Sequence, residues 1–160
     1  MLLEIRKAEE RDMDGIMNLL HQVNDVHAAG RSDLFIEGKT KYTEIELAEI
    51  LRNPQTPVFV GIDEDNHVAG YCFCVVKDTT ESVNLVALKT LYIDDLCVDE
   101  RCRGQHVGRS IYSFVRNFAS ENGFYNITLN VWNCNPVAMR FYESLGMSPM
   151  KVTMEDIICG

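Results

Sequence analysis

The sequence lacks any apolar run approaching the roughly 18 residues of a membrane-spanning helix. It has only four prolines, which are scattered, and no repeat, low-complexity tract or linker divides it. We therefore predict a single domain over residues 1–160, long enough at a hydrophobic fraction of 46% to bury a core. The N-terminal stretch MLLEIRKAEERD becomes charged too early for a secretory signal peptide, so we expect a cytoplasmic protein.

Basic residues are scarce. Lysine and arginine together number 15 against 24 aspartates and glutamates, which gives a net charge of −9. A chain this acidic lacks the electrostatic footprint of a nucleic-acid binder, so we expect neither nucleic acid nor membrane as a partner. The charge suits a cationic small partner, although a plain soluble surface is the explanation that we favour.

No metal site is predicted from the cysteines. None of the six forms a CxxC pair, and no pair of His or Cys residues has zinc-ligand spacing. Cys72 and Cys74 lie two apart in an apolar run, so on a strand they would share a face. We interpret the thiols as small buried hydrophobic groups.

Hydrophobic periodicity and turn residues predict an α/β fold with a mixed sheet and helices on both faces. The element order is β-α-α-β-β-β-α-β-α-β. The predicted strands are 2–7, 58–62, 68–76, 88–98, 125–131 and 152–158, and the predicted helices are 12–28, 43–52, 107–122 and 136–145.

The segment 91–115, LYIDDLCVDERCRGQHVGRSIYSFV, carries the densest chemical signal. It is predicted to run from a strand through a short glycine-containing loop into a helix, with Arg101, Arg103 and Arg109 around the loop. Backbone N–H groups at a helix N-terminus, where the helix dipole is positive, form a cradle for phosphate. The patterns GxxxxGK[ST] and GxGxxG are missing, which excludes a P-loop and a dinucleotide fingerprint. An ordinary strand-to-helix turn is the alternative.

Two motifs in this order resemble the GNAT superfamily, the Gcn5-related N-acetyltransferases. The first is the loop Arg103-Gly104-Gln105-His106-Val107-Gly108, which is similar to the family's Arg/Gln-x-x-Gly-x-Gly/Ala loop. The second is Asn135-Pro136-Val137-Ala138-Met139-Arg140-Phe141-Tyr142-Glu143-Ser144-Leu145-Gly146-Met147. The resemblance covers nearly the whole chain and implies a bacterial-type, single-domain fold with a mostly antiparallel sheet. His106 departs from the family, which has glycine there.

The resemblance implies acetyl-CoA as the co-substrate and assigns residues to it. The pantetheine chain would pair with the strand end at Leu96, Cys97 and Val98, and Asn135 would hydrogen-bond the cofactor while capping its helix. Tyr142 aligns with the tyrosine that protonates the CoA sulfur, with aromatic packing as the alternative. The pyrophosphate would lie on Arg103, Gly104, Gln105, His106, Val107, Gly108 and Arg109.

The acceptor side leaves alternatives open. Some family members use a glutamate at the position that is Asn130 here, and an amide cannot act as a base. The stretch LYIDDL is similar to the LYLED-type strand of polyamine acetyltransferases, so Asp94 is the catalytic candidate and Asp95 a substrate-binding one. Asp94 could bind the ammonium, accept its proton through water, or both, and strand parity predicts that it points to the same side as Leu96. A solvated or salt-bridged pair of carboxylates is the alternative.

Arg31, Phe35 and Trp132 are further candidates for binding the acceptor. The predicted activity is acetyl-CoA-dependent N-acetylation of a primary amine, on a small cationic molecule. A protein or peptide N-acetyltransferase and a non-catalytic CoA-binding regulatory module are the alternatives. By analogy with the superfamily, a homodimer is also expected.

Overall fold

A five-stranded sheet forms the centre of the fold in a computed structural model, which describes residues 1–159. The strands lie side by side in chain order: β1 Glu4–Lys7, β2 Val58–Ile62, β3 Val68–Asp78, β4 Lys89–Val98 and β5 Asn126–Leu129. The first four pair antiparallel with their neighbours, whereas β5 runs parallel to β4. The predicted mixed, mostly antiparallel sheet is therefore confirmed.

Four helices accompany the sheet: α1 Met13–Gly30, α2 Glu44–Arg52, α3 Val107–Glu121 and α4 Pro136–Ser144. The start of α2 is fixed by a capping box. The Thr43 hydroxyl accepts a hydrogen bond from the Glu46 amide, and the Thr43 amide donates to the Glu46 carboxylate, both at 3.2 Å. Among the described residues, none of the helices has the length and apolar character needed to cross a membrane.

The core lies on both faces of the sheet. On one face, Ile16, Leu19 and Leu20 of α1 and Leu47 of α2 are fully buried against the strands. Their spacing is the amphipathic pattern from which the two helices were predicted. On the other face α3 buries Ile111 and Val115.

Four cysteines belong to this packing. Cys72, Cys74, Cys97 and Cys102 are buried, as expected of small hydrophobic groups. Cys134 and Cys159 are exposed.

The chain forms two compact units, which are described separately. Met1–Asn130 contains the sheet and α1 to α3, and the residues from Val131 onward contain α4.

One predicted element is missing. The described structure has no strand over residues 152–158, where the chain is irregular and exposed. Val152, Met154, Ile157 and Ile158 are between 61% and 89% exposed. An apolar extended segment becomes a strand only where another strand supplies backbone hydrogen-bond partners, and the sequence pattern cannot show that partner.

Candidate active site

A β-bulge lies in the middle of β4. Phe73 pairs with Asp95 and the next residue, Cys74, pairs with Ile93, so Asp94 is an extra residue without a partner on β3. A bulge re-aims side chains by breaking the alternation of the strand. Asp94 consequently reaches Tyr42, whose ring stacks on Phe73 at 5.6 Å.

The prediction from strand parity that Asp94 points with Leu96 is therefore corrected. Leu96 pairs with Cys72, on the other face of β3 from Phe73. Asp94 and Asp95 both lie on the face that carries Phe73, because the extra residue offsets the alternation by one position.

Both carboxylate oxygens of Asp94 are occupied. Oδ2 accepts a 2.5 Å hydrogen bond from the Tyr42 hydroxyl, and Oδ1 lies 2.9 Å from Lys41 Nζ. Burial raises the pKa of Tyr42 well above its ordinary value, and the hydrogen bond to Asp94 raises it further. The phenol therefore keeps its proton and donates a hydrogen bond to the Asp94 carboxylate.

Asp95 has a different environment. Its Oδ2 accepts a 2.6 Å hydrogen bond from the hydroxyl of Tyr71, which is fully buried. Burial raises the pKa of Asp95 to about 6, although the Tyr71 hydrogen bond and the charge of Lys41 oppose the shift. The predicted carboxylate pair thus consists of two groups in distinct surroundings, which is common where charges serve a function.

A cavity of about 320 Å³ opens beside Asp94. Its charged lining is acidic, because Glu46 and Glu49 from α2 join Asp94, while Tyr42, Asn53 and Thr56 add neutral polar groups. Phe73 and Ile50 supply apolar wall. Three carboxylates around a small cavity attract a cation.

Sequence reasoning missed Glu46 and Glu49 as site residues and assigned no role to Tyr71 or Lys41. It named Tyr42 only as part of the connection between the first two helices, which by the family resemblance walls the acceptor pocket. A signal existed for the two glutamates, since positions three apart share a face of a helix. No local signal identifies Tyr71 or Lys41, because each meets its aspartate only through the fold.

The end of β4 has one free edge. Pairing with β5 stops at Ile93 and Leu129, whereas Asp95–Val98 pair with β3 alone in the described part of the chain. Leu96, Cys97 and Val98 therefore lie where backbone groups face away from β3 toward an open edge. An extended chain can add to such an edge by backbone hydrogen bonds.

The loop after β4 has two residues in the left-handed backbone conformation that favours glycine. Gly104 and His106 have φ of 76° and 63°, and α3 begins at Val107. This conformation costs a non-glycine residue such as His106 about 1 kcal/mol. Arg103, Gln105, His106 and Arg109 are exposed around this helix start.

Arg101 does not contribute to the basic character of the loop. Its guanidinium lies 2.8 Å from the carboxylate of Asp99, which is nearly fully buried. Asp99 also accepts a hydrogen bond from the Arg101 amide. Arg103 lies close enough to Cys97 for its charge to lower the pKa of that thiol, against a larger rise from burial.

The remaining acceptor candidates of the first unit have partners of their own. The Arg31 guanidinium forms two hydrogen bonds to Asp33, at 2.9 and 2.8 Å. The Phe35 ring lies 4.9 Å from that of His27, whose pKa is lowered by burial and by the charge of Lys41. The Asn130 amide donates to the Tyr92 hydroxyl at 3.1 Å.

The second unit holds Asn135, Tyr142 and Trp132. Asn135 caps α4, since its side-chain oxygen accepts a hydrogen bond from the Ala138 amide at 3.2 Å. Tyr142 is half-buried on α4, with its ring 5.2 Å from Phe141. Trp132 is 40% exposed.

Comparison with known proteins agrees with this geometry. Residues 23–147 match the family described as the acetyltransferase (GNAT) family. A bovine thialysine N-epsilon-acetyltransferase is 29% identical over 152 residues, covering 89% of this chain and 82% of its own. A putative ribosomal protein bS18-alanine N-acetyltransferase from Bacillus subtilis is 30% identical over 102 residues, covering 63% and 60%.

Among solved structures, a mutant of the BH1408 protein from Bacillus halodurans superposes with a TM-score of 0.93 at 30% identity. That superposition covers 98% of this chain and 99% of the other. The chain belongs to the GNAT acetyltransferase family. It is an N-acetyltransferase enzyme, and the family generally uses acetyl-CoA as its co-substrate.

Proposed function

We propose that the enzyme transfers the acetyl group of acetyl-CoA to a primary amine of a small cationic molecule. The observation that carries this proposal is the acidic cavity, where Glu46 and Glu49 join Asp94. Carboxylates from two different elements converge there on a space large enough for a small acceptor. A chain with a net charge of −9 would also attract such a molecule over a distance.

The free edge of β4 and the loop after it support the placement of the co-substrate. Leu96, Cys97 and Val98 would hold the pantetheine chain by backbone hydrogen bonds. The amides from Gly104 to Arg109, at the start of α3, would hold the pyrophosphate, helped by the charges of Arg103 and Arg109. Asn135 would hydrogen-bond the co-substrate as well as cap α4.

Acetyl-CoA supplies the acetyl group as a thioester. An amine with an ordinary pKa of about 10.4 must lose a proton before it can attack. We assign binding of the ammonium and acceptance of its proton, directly or through water, to Asp94, with Asp95 beside it. Tyr142 Oη would donate a proton to the departing thiolate.

The relatives bear on the acceptor class. The bovine relative is named for thialysine, a small amine, which supports a small acceptor. The Bacillus subtilis relative is named for an alanine of a ribosomal protein, which favours a peptide acceptor as the second candidate. Arg31, Phe35 and Trp132 stay proposed acceptor contacts.

A panel of amines tests the proposal by thiol release from acetyl-CoA. The panel holds a triamine, an amino acid with a side-chain amine, an aminoglycoside and a peptide with N-terminal alanine. We expect turnover of cationic small amines and a loss of at least about 100-fold in kcat for Tyr142→Phe. Turnover of the peptide alone would contradict the proposal.

Two variants that each remove one carboxylate test whether the cavity binds the acceptor. Glu49→Gln should raise KM for the triamine about three- to tenfold, the effect of one partly exposed ion pair. The matched control is Glu44→Gln, on the same helix but outside the cavity lining. Equal effects of the two variants would mean that general surface charge, not the cavity, binds the acceptor.

We also propose a homodimer of single-domain chains. The exposed apolar side chains of Val152, Met154, Ile157 and Ile158 support it, because a second copy could cover them. The mass in solution, measured by light scattering, tests it. The cytoplasmic location stays a prediction.

A further inference from the structure

Lys41 lies where the proposed function puts the ammonium of the acceptor. Its Nζ is 2.9 Å from Asp94 Oδ1, while Tyr42 occupies the other oxygen of the same carboxylate. The same Nζ lies 5.6 Å from the centre of the Tyr42 ring, a cation–π distance. A primary ammonium of this protein thus contacts the carboxylate of Asp94 and the ring of Tyr42, two residues that line the acidic cavity.

The neighbours of Lys41 respond to its charge. The Lys41 ammonium lowers the pKa of Asp95 and, more weakly than burial does, the pKa of His27. It therefore compensates the carboxylate pair in the absence of any acceptor. A partly buried carboxylate with no cation would cost more than a paired one.

We propose that Lys41 is a built-in stand-in for the acceptor ammonium at Asp94 and that an acceptor must displace it in order to bind. The inference rests on the proposed function of Asp94. An acceptor with one ammonium replaces the Lys41 ammonium at Asp94. One ion pair is then exchanged for an equivalent one, so little binding free energy is gained. An acceptor with a second cationic group gains the additional attraction of Glu46 and Glu49.

The exchange is physically accessible. The Lys41 side chain is 46% exposed, and it belongs to the irregular segment before α2. An ion pair with one such exposed partner is weak, because water screens the charges and the side chain loses freedom when it is held. The long lysine side chain can swing into solvent without moving the backbone.

Kinetics with two probes test the displacement. The probes are n-butylamine and 1,4-diaminobutane, which differ in the number of ammonium groups. Lys41→Met should lower KM for both amines about three- to tenfold, because each displaces the same ammonium. The preference for the diamine, which rests on Glu46 and Glu49, should stay as in the wild type. Unchanged KM values for both amines would overturn the displacement.

Two controls separate displacement from general charge. Lys41→Arg keeps a cation beside Asp94 and should leave both KM values close to those of the wild type. Lys39→Met removes an exposed charge from the same segment and should leave both KM values as in the wild type. A higher KM for both amines in Lys41→Met would overturn the proposal, because it would mean that Lys41 helps the acceptor to bind.

Nuclear magnetic resonance of the lysine side-chain ammonium groups tests displacement without turnover. The Lys41 signal, assigned by its loss in Lys41→Met, should change on titration with 1,4-diaminobutane and lose that response in Asp94→Asn. A Lys41 signal that stays fixed while the diamine binds would overturn the displacement. A wild-type enzyme that shows the displacement but acetylates neither amine would instead count against the proposed function.

Discussion

Tyr42 donates a 2.5 Å hydrogen bond from its hydroxyl to Asp94 Oδ2, linking residues that lie 52 apart in the sequence. The contact joins the bulge of β4 to the segment that leads into α2. The ring of Tyr42 is held in turn by stacking on Phe73. One short contact therefore connects β4 with the segment that leads into α2, the helix that carries Glu46 and Glu49 of the cavity lining.

Replacing Asp94 by asparagine should abolish most of the activity. The amide cannot accept a proton and does not attract an ammonium, so kcat/KM should fall about 100-fold or more. Tyr42→Phe keeps the stacking on Phe73 and removes only the hydroxyl, and a fall of about tenfold is expected for one hydrogen bond to a charged group. Steady-state thiol release measures both. An Asp94→Asn variant with the wild-type rate and pH profile would remove Asp94 from the mechanism.

The stability of the protein should depend on pH through Asp95. Burial raises the pKa of this carboxyl from 3.8 to about 6, so the folded state binds the proton more tightly than the unfolded chain does. The stability from the protonated form is fully present below the unfolded pKa of about 4 and is lost as the pH rises through about 6, a change of about 2–3 kcal/mol.

Asp95→Asn stays neutral and should not lose this stability. Its free energy of unfolding relative to the wild type should therefore rise by about 2–3 kcal/mol between pH 4 and pH 7.5. Urea denaturation at several pH values measures the difference, in which the other titrating groups cancel. A difference that stays constant with pH would show that the Asp95 carboxyl titrates alike in both states.

Replacing His106, whose backbone is left-handed, should affect stability and cofactor binding in opposite directions. His106→Gly should stabilise the fold by about 0.5–1 kcal/mol, because glycine adopts a φ of 63° without strain. It should weaken coenzyme A binding, because the loop loses an imidazole N–H that can donate to a phosphate oxygen. Calorimetry measures the dissociation constant of both forms, and equal constants would rule out the imidazole contact.

Gly70 sets the approach of α3 to the sheet. A Cβ at this position would lie 2.8 Å from Ile111 Cδ1 and 2.9 Å from the carbonyl oxygen of Cys97. Gly70→Ala should therefore destabilise the protein by about 1–3 kcal/mol, the typical cost of overpacking. Adding Ile111→Val removes the Cδ1 atom and should restore part of the loss, measured by urea denaturation. If Ile111→Val only adds its own destabilisation to that of Gly70→Ala, the clash lies with the Cys97 backbone alone.

Much of this protein follows from local sequence. Apolar spacing places α1 to α3 within a few residues, because helix periodicity depends on residues close in the chain. Thr43 with Glu46 marks the start of α2, and Asn135 with Pro136 marks the start of α4, because capping is also local. The loop from Arg103 to Gly108 and the segment beginning at Asn135 carry the family resemblance, since phosphate cradles and helix caps also use adjacent backbone groups.

Only the tertiary structure decided the arrangement around Asp94. The bulge arises from the register between β3 and β4, which strand alternation alone does not predict, and it reverses the expected direction of the side chain. Lys41, Tyr42 and Tyr71 meet the two aspartates across long sequence separations. The C-terminal segment also depended on the tertiary structure. Its apolar pattern indicated a strand, but the described fold pairs no strand with it. Sequence specified the elements by local periodicity, whereas the site depends on which distant groups the fold brings within hydrogen-bond distance.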